Sequence, residues 1–268
     1  MGRSLSFSRM RRFLNLPVHH VHPYIYVSPE NFLAYDGFDG TPNSHDRRMS
    51  WAPHEQDFVS GDPTWQGGKG KGIIGAINYL SNQGMNAFSF LTMNIDNNDD
   101  DDQNAFPYIS DAAANRTRID ISKMAQWEIV FEHADKMGMF LDMKLFQTEN
   151  AAIFDEGVGF GNERKLYYRE IIARFSHHLA LNWNIAMEEI TNPTKWIMGY
   201  QYSDFFKKMD PYKHPVVAHS SIDSSSFLGL LLEHPNFDGP SLQTTDPITS
   251  VFANTLQWVQ ASASIGGH

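Results

Sequence analysis

Leu181-Asn182-Trp183-Asn184-Ile185-Ala186-Met187-Glu188-Glu189 is an apolar run that ends in two adjacent carboxylates, immediately before Thr191-Asn192-Pro193. A strand that delivers acids to its own C-terminal end is the arrangement in which a (β/α) barrel keeps its reactive groups. Whether this is such a strand depends on what surrounds it, and the surrounding chain alternates.

Tyr24 to Val27 reads as a first strand, followed by a loop rich in Gly, Asp, Pro and Trp from Ser28 to about Gly70. Loops of that length are uncommon in compact domains unless they carry function. Lys71 to Gln83 places Ile73, Ile74, Ile77 and Leu80 at helical spacing and stops at Gly84. Met85 to Met93 is a buried strand, and Asn94 to Arg118 a second loop. A helix then starts at Asp120 or Ser122, runs through Lys123 to Lys136 and stops at Gly138. Met139 to Phe146 is the third strand, Asn162 to His178 an amphipathic helix, and Leu179 to Ile185 the fourth strand. Lys195 to Lys208 (helix), Val216 to His219 (strand), Phe227 to Leu232 (short helix), Ser241 to Thr244 (strand) and Ile248 to Ala263 (helix) complete the series.

Alternating strands and helices imply a parallel sheet, either doubly wound or closed into a barrel. No G-x-G-x-x-G directly follows the first strand, which weakens the dinucleotide-binding version. The expectation is an α/β chain of the (β/α)8 TIM-barrel type. A closed barrel needs about eight strands, and six are read before Ile265-Gly266-Gly267-His268. The expected organisation is therefore a basic extension over 1–22 and a partial barrel over 23–268, truncated after its sixth β/α unit. The other reading of the count is that two strands hide in the long loops.

Composition narrows the function classes. A formal charge of −10 disfavours nucleic acid, because phosphate binding needs a basic face and Lys plus Arg number 21 against 31 acids. Without cysteine there is no disulfide, no thiolate nucleophile and no Cys-ligated metal. No apolar run approaches the ~20 residues of a membrane span, so no membrane partner is expected. The leader with Arg3, Arg9, Arg11 and Arg12 lacks the apolar core of a secretory signal and reads as a loose extension rather than a targeting sequence.

Several long words resemble a family of bacterial glycoside hydrolases whose catalytic TIM barrel often travels with an N-terminal β-sandwich of the DUF5060 type. They are Ser28 to Tyr35 with Phe38-Asp39-Gly40-Thr41, Gly61-Asp62-Pro63-Thr64-Trp65, and Gly68 to Leu80. Further along come Asp120 to Lys123, Gln126 to Phe131, Glu163 to Glu170 and Ala173-Arg174-Phe175. The chain departs from the family at the fourth strand, where Trp-Asn-Leu-Gly-Glu-Glu-Asn is replaced by Trp183-Asn184-Ile185-Ala186-Met187-Glu188-Glu189. Met187 thus stands opposite the first family Glu. The resemblance implies a retaining, two-carboxylate hydrolysis of a poly- or oligosaccharide, no cofactor, and an extracellular or periplasmic location.

Retaining glycosidases hold two carboxyl groups about 5 Å apart, one protonating the departing oxygen and one attacking the anomeric carbon. Family analogy puts the acid/base after strand 4, so Glu188 is the first candidate and Glu189 the second, since strand alternation turns only one neighbour into the mouth. The strand-7 nucleophile is expected beyond His268. Asn94 and Asp96 after strand 2, Gln147 and Glu149 after strand 3, Asn184 and His219 at strands 4 and 5, and Gln243 with Asp246 at strand 6 are the candidate hydroxyl-holding residues. Asp39 joins them from the first loop, where Trp51 and Trp65 are candidates to stack on a sugar ring.

Other readings remain. The paired Glu residues also suit a helix start, where they favour the dipole. Asp96, Asn98, Asp100 and Asp102 alternate as calcium ligands would, without the Gly and distal Glu of an EF-hand loop. His20-Val21-His22 raises a metal-dependent barrel hydrolase, but the word precedes the first strand instead of ending it, so no metal is expected at the site. His177-His178 falls at a helix end, as dipole partners do. A non-catalytic carbohydrate-binding barrel is the alternative to an enzyme.

Overall fold

The computed structural model describes residues 26–27, 29–39, 49–95, 105–109, 116–146, 150, 153–155, 159–185, 193–221, 225–243 and 249–264. The basic extension, His20-Val21-His22, the acidic run from Asp96 to Asp102, Gln147, Glu149, Glu188, Glu189 and Asp246 lie outside the described residues. The described residues form two compact units, one ending at Leu181 and the other beginning at Asn182. Among them, no helix is long and apolar enough to cross a membrane.

The N-terminal unit contains strands β1 (Tyr26–Val27), β2 (Ala87–Leu91) and β3 (Phe140–Lys144) and helices α1 (Lys71–Asn82), α2 (Ile121–Lys136) and α3 (Asn162–Phe175). β1 pairs with β2 and β2 with β3, both in parallel, with Phe88 opposite Leu141 and Ser89 opposite Asp142. Strand order that follows the chain without reversing is how a barrel winds, whereas a doubly wound sheet reverses at a switch point.

Period-two alternation sorts β2 and β3 into two faces. Phe88, Phe90, Leu141 and Met143 turn to the helices, where Phe90 stacks on Phe131 of α2 at 5.2 Å and Phe131 meets Phe175 of α3 edge-on at 4.9 Å. Ser89, Asp142 and Lys144 share the opposite, inner face. Helix ends follow local chemistry. The Asp120 carboxylate caps α2 by accepting from Lys123 N at 3.0 Å, and Gly84 and Gly138 take positive φ (81° and 75°) just past α1 and α2, as the C-terminal stop requires.

The loop after β1 is not unstructured. Its residues Ala52–Asp57 form a 3-10 helix that lies along α1. Gly72 and Gly75 permit this close approach: a Cβ on Gly75 would stand 1.9 Å from the His54 carbonyl oxygen, and one on Gly72 2.6 Å from that of Ser50. Buried Asn78 pins the same seam. Its Nδ2 donates to Asp57 O (3.0 Å) and to Asp62 Oδ2 (2.7 Å), which leaves Oδ1 to accept from His133 Nε2 of α2 at 2.8 Å. His133 is thereby fixed as the Nε2–H tautomer, and burial holds its pKa below the usual histidine value.

The C-terminal unit contains β5 (Val216–Ser221) and β6 (Gly239–Gln243) with α4 (Pro193–Met209), α5 (Ser225–Leu232) and α6 (Thr249–Ser264). β4 (Leu181–Asn184) opens it. β4 pairs with β5 and β5 with β6, again in parallel and in chain order. Trp183 turns to the helix side, where its ring meets Phe206 of α4 at 5.1 Å. Asn184, Val217, His219 and Ser241 take the other face. Asp238 links strand to helix, accepting from Val216 N (2.7 Å) and from Lys207 Nζ of α4 (2.6 Å).

Element order thus agrees with the sequence reading in both units, with small shifts at the ends. Helix α3 stops at Phe175 instead of His178, because His178 N closes a tight turn on Phe175 O at 3.1 Å.

Candidate functional site

The C-terminal ends of β1, β2 and β3 carry a connected polar cluster. Glu30, just past β1, pairs with Lys144 at the end of β3, spanning the strand between them. Lys144 is buried and Glu30 only partly so, which leaves the carboxylate as the open member of the pair. Beside them runs a chain of amides. Asn94 Nδ2 donates to Asn31 Oδ1 (3.2 Å), Asn150 Nδ2 donates to Asn94 Oδ1 (3.3 Å), and Asn150 Oδ1 accepts from Ile95 N (2.7 Å).

Under this layer, the Thr92 hydroxyl sits within reach of Lys144 O (3.1 Å), Leu145 O (3.2 Å) and the Tyr167 hydroxyl (2.6 Å). That bonding rigidifies the turn at the top of β2 and β3. Lys123, on the first turns of α2, is buried and donates to Phe106 O and Tyr108 O at 3.2 Å each, with its ammonium 4.1 Å above the Phe106 ring. It clips the second loop over the same end of the unit.

A barrel interior that serves packing alone is filled with Val, Ile and Leu. Here the inner positions include Ser89, Asp142 and Lys144 beside Ala87 and Leu91 in the first unit, and Asn182, Asn184, His219 and Ser241 beside Val217 in the second. Asn184 is buried and donates from Nδ2 to Ser241 Oγ at 3.1 Å, reaching from β4 to β6 past β5. Buried polar groups cost several kcal/mol each unless paired, on the order of 1–3 by mutation.

The residues singled out from sequence fall in different places. Asn94 and Asn184 sit at strand ends within these networks. His219 lies on β5, half-buried and in register with Ser241, and Gln243 is the last residue of β6. Asp39 is at the first loop, where its carboxylate accepts from Ser122 Oγ at 2.6 Å and from Gln66 Nε2, while its N–H donates to Gln126 Oε1 at 2.8 Å. The Ser122 hydroxyl in particular holds the Asp39 pKa below the usual carboxylate range. Asp39 thus docks the loop on the start of α2.

Trp65 is buried. Its ring stacks on Phe38 at 5.4 Å and its Nε1 donates to Gly37 O at 3.0 Å, so a ring face and the indole N–H serve the loop's own packing. Trp51 is half-buried, with Nε1 donating to Phe32 O at 3.3 Å and a left-handed backbone (φ 53°). Sequence reasoning passed over Glu30, Asn31, Lys144 and Asn150. The available signal was Phe140-Leu141-Asp142-Met143-Lys144, in which two charged residues alternate with apolar ones inside a short strand.

No family model and no curated protein matches the chain. Solved structures do. A protein of Bacteroides vulgatus assigned to the glycoside hydrolases is 18% identical with a TM-score of 0.50, over 69% of this chain and 38% of that one. The fold of this chain is a parallel α/β arrangement of the TIM-barrel type, similar to that structure. A family 5 glycoside hydrolase of the same organism is 13% identical with a TM-score of 0.39, over 55% of this chain and 31% of that one. An endo-1,4-β-D-mannanase of Thermotoga petrophila is 10% identical with a TM-score of 0.36, over 71% of this chain and 80% of that one. The chain therefore spans 38% of the length of the first of these structures.

Proposed function

We propose that this chain carries part of the active face of a retaining glycoside hydrolase acting on a poly- or oligosaccharide. The observation that carries the reading is the connected polar cluster at the strand ends of the N-terminal unit, where Glu30–Lys144 and the Asn31–Asn94–Asn150 amides offer fixed donors and acceptors of the kind that hydroxyl-bearing ligands use. The barrel type of the fold supports it.

Glu188 is the proposed acid/base and Glu189 the alternate. Strand alternation turns only one of two neighbouring residues to a given face, so the two are alternates for a single role. In the reaction the acid/base protonates the departing glycosidic oxygen while a second carboxylate attacks the anomeric carbon; the same residue then takes a proton from the water that releases the sugar. No residue of this chain is assigned as that nucleophile. Asn94, Asn184, His219, Asp96, Gln147, Glu149 and Gln243 are proposed to hold sugar hydroxyls, with Asp39 and Trp51 supporting the first loop at the rim.

The test is hydrolysis of a panel of poly- and oligosaccharides by the chain, and by a longer form if the coding sequence continues past His268. Glu188→Gln should lower turnover by about 10²–10⁴, with sugar binding retained. Equal activity in the wild type, Glu188→Gln and Glu189→Gln would overturn the assignment. Binding of glycans without hydrolysis in any form would favour the carbohydrate-binding alternative.

A further inference from the structure

The foot of the N-terminal unit, at the other end of the helices from the strand-end cluster, holds a second group of chemically active side chains. Glu128 and Asp135 lie two turns apart on α2, and His177 and His178 follow the C-terminus of α3. Nε2 of His177 is 2.8 Å from Glu128 Oε1, and Nε2 of His178 is 3.3 Å from Glu128 Oε2. Nδ1 of His178 is 2.6 Å from Asp135 Oδ2. We propose that Glu128, His177 and His178 form a zinc site that ties α2 to the turn ending α3, with Asp135 orienting His178 from behind.

Geometry gives the first argument. One ligand atom from each of Glu128, His177 and His178 lies within 4.8 Å of the others. Ligands on a tetrahedron with bonds of ~2.1 Å stand about 3.4 Å apart, inside the range these side chains already span. Preorganisation gives the second. The His178 side chain is 1% exposed and its ring is edge-on to Phe131 at 5.9 Å, so it cannot turn away. An imidazole that gives its Nδ1–H to a carboxylate presents Nε2 as the ligand, which is how histidines at metal sites are usually oriented. Asp135 makes that bond here.

Ligand type gives the third argument. Two imidazoles and a carboxylate select zinc over the hard cations calcium and magnesium, which take oxygen ligands. His177 is half-exposed, so the fourth position opens to water. Neither strand-end chemistry nor the proposed hydrolysis enters this site.

The test uses the tag-free chain stripped with EDTA and titrated with zinc chloride, followed by calorimetry and thermal melting. One zinc per chain with a rise in Tm is expected. His177→Ala is chosen because the side chain is on the surface and its loss leaves the fold intact, which circular dichroism checks; it should weaken zinc binding at least tenfold. Glu128→Gln should do the same, and Asp135→Asn should weaken it by ~10–100-fold. Cobalt in place of zinc should give the visible absorption of a four-coordinate ion in the wild type and lose it in His177→Ala. Absence of stoichiometric zinc binding, or binding unchanged in both His177→Ala and Glu128→Gln, would reduce the cluster to an ion-pair clamp and overturn the proposal.

Discussion

At Asp210 one buried carboxylate collects donors from three parts of the C-terminal unit. Trp183 Nε1 on β4 (3.0 Å), Tyr212 N (2.8 Å), and both N (2.9 Å) and Nδ1 (2.7 Å) of His214 converge on it. Burial pushes the Asp210 pKa up, but the hydrogen bonds and charge of His214 and the indole N–H outweigh it and hold the group at about 2. Its folded pKa lies below the 3.8 of an ordinary aspartate, so its stabilisation is complete above that value and disappears as pH falls through about 2. Asp210→Asn should cost about 2–3 kcal/mol in urea unfolding at neutral pH, and the gap to the wild type should shrink on acidification; a gap constant with pH would refute the sign. At Glu30 and Lys144 the asymmetry of burial decides the outcome. Glu30→Gln leaves a buried ammonium facing a neutral partner and should destabilise by about 2 kcal/mol, whereas the double change with Lys144→Met should recover most of that, as parallel melts would register. None of the Asp210 contacts could be read from the sequence, since Asp210-Pro211-Tyr212 looks like any helix-ending turn. Lys144 was legible as an odd charge in a strand, but its partner lies 114 positions away.

At the scale of elements, the glycine-lined face of α1 is packed so closely that position decides what it tolerates. Two glycines in a helix interior sacrifice up to ~1 kcal/mol each in propensity, and the close 3-10 helix is what they make room for. Gly75→Ala should therefore destabilise in spite of its better propensity, by about 1–3 kcal/mol from overpacking. Gly229→Ala in α5, where an added Cβ meets nothing, is the contrasting control and should be neutral or stabilising in the same melts. Helices and strands were legible because their signals are local: Ile73, Ile74 and Ile77 recur at helical spacing, Asp120 caps, Gly84 and Gly138 stop. The 3-10 helix Ala52–Asp57 was not legible. Its sequence is short and polar, and its conformation is set by a neighbour that arrives later in the chain. Trp65 shows the same limit at the site, since an aromatic in a long loop reads equally as a sugar platform or as the plug that Phe38 makes of it.

For the whole molecule, an excess of ten negative charges and a pI near 5.6 set where repulsion between copies vanishes. Helix α6 exposes Phe252, Leu256 and Val259 along one stripe while Trp258 is buried. Contiguous apolar surface of this kind drives association once charge no longer opposes it. Light scattering should therefore rise as pH approaches 5.6, and Phe252→Lys with Val259→Lys should suppress that rise; unchanged scattering would clear the stripe of the effect. The fold type was legible at this scale because alternation of strand and helix persists along the chain. The polar inner positions were legible only in outline, because which inner side chains meet depends on register, and register is a property of paired strands. The indole of Trp183 has one more use. Its N–H is bonded to a buried anion and its ring stands edge-on to the His214 imidazole at 6.0 Å, so its emission reports the order of β4, α4 and the turn between α4 and β5. The C-terminal unit thus contains its own optical gauge, and replacing Trp51, Trp65, Trp127, Trp196 and Trp258 with phenylalanine would leave Trp183 to report its unfolding in isolation from the N-terminal unit.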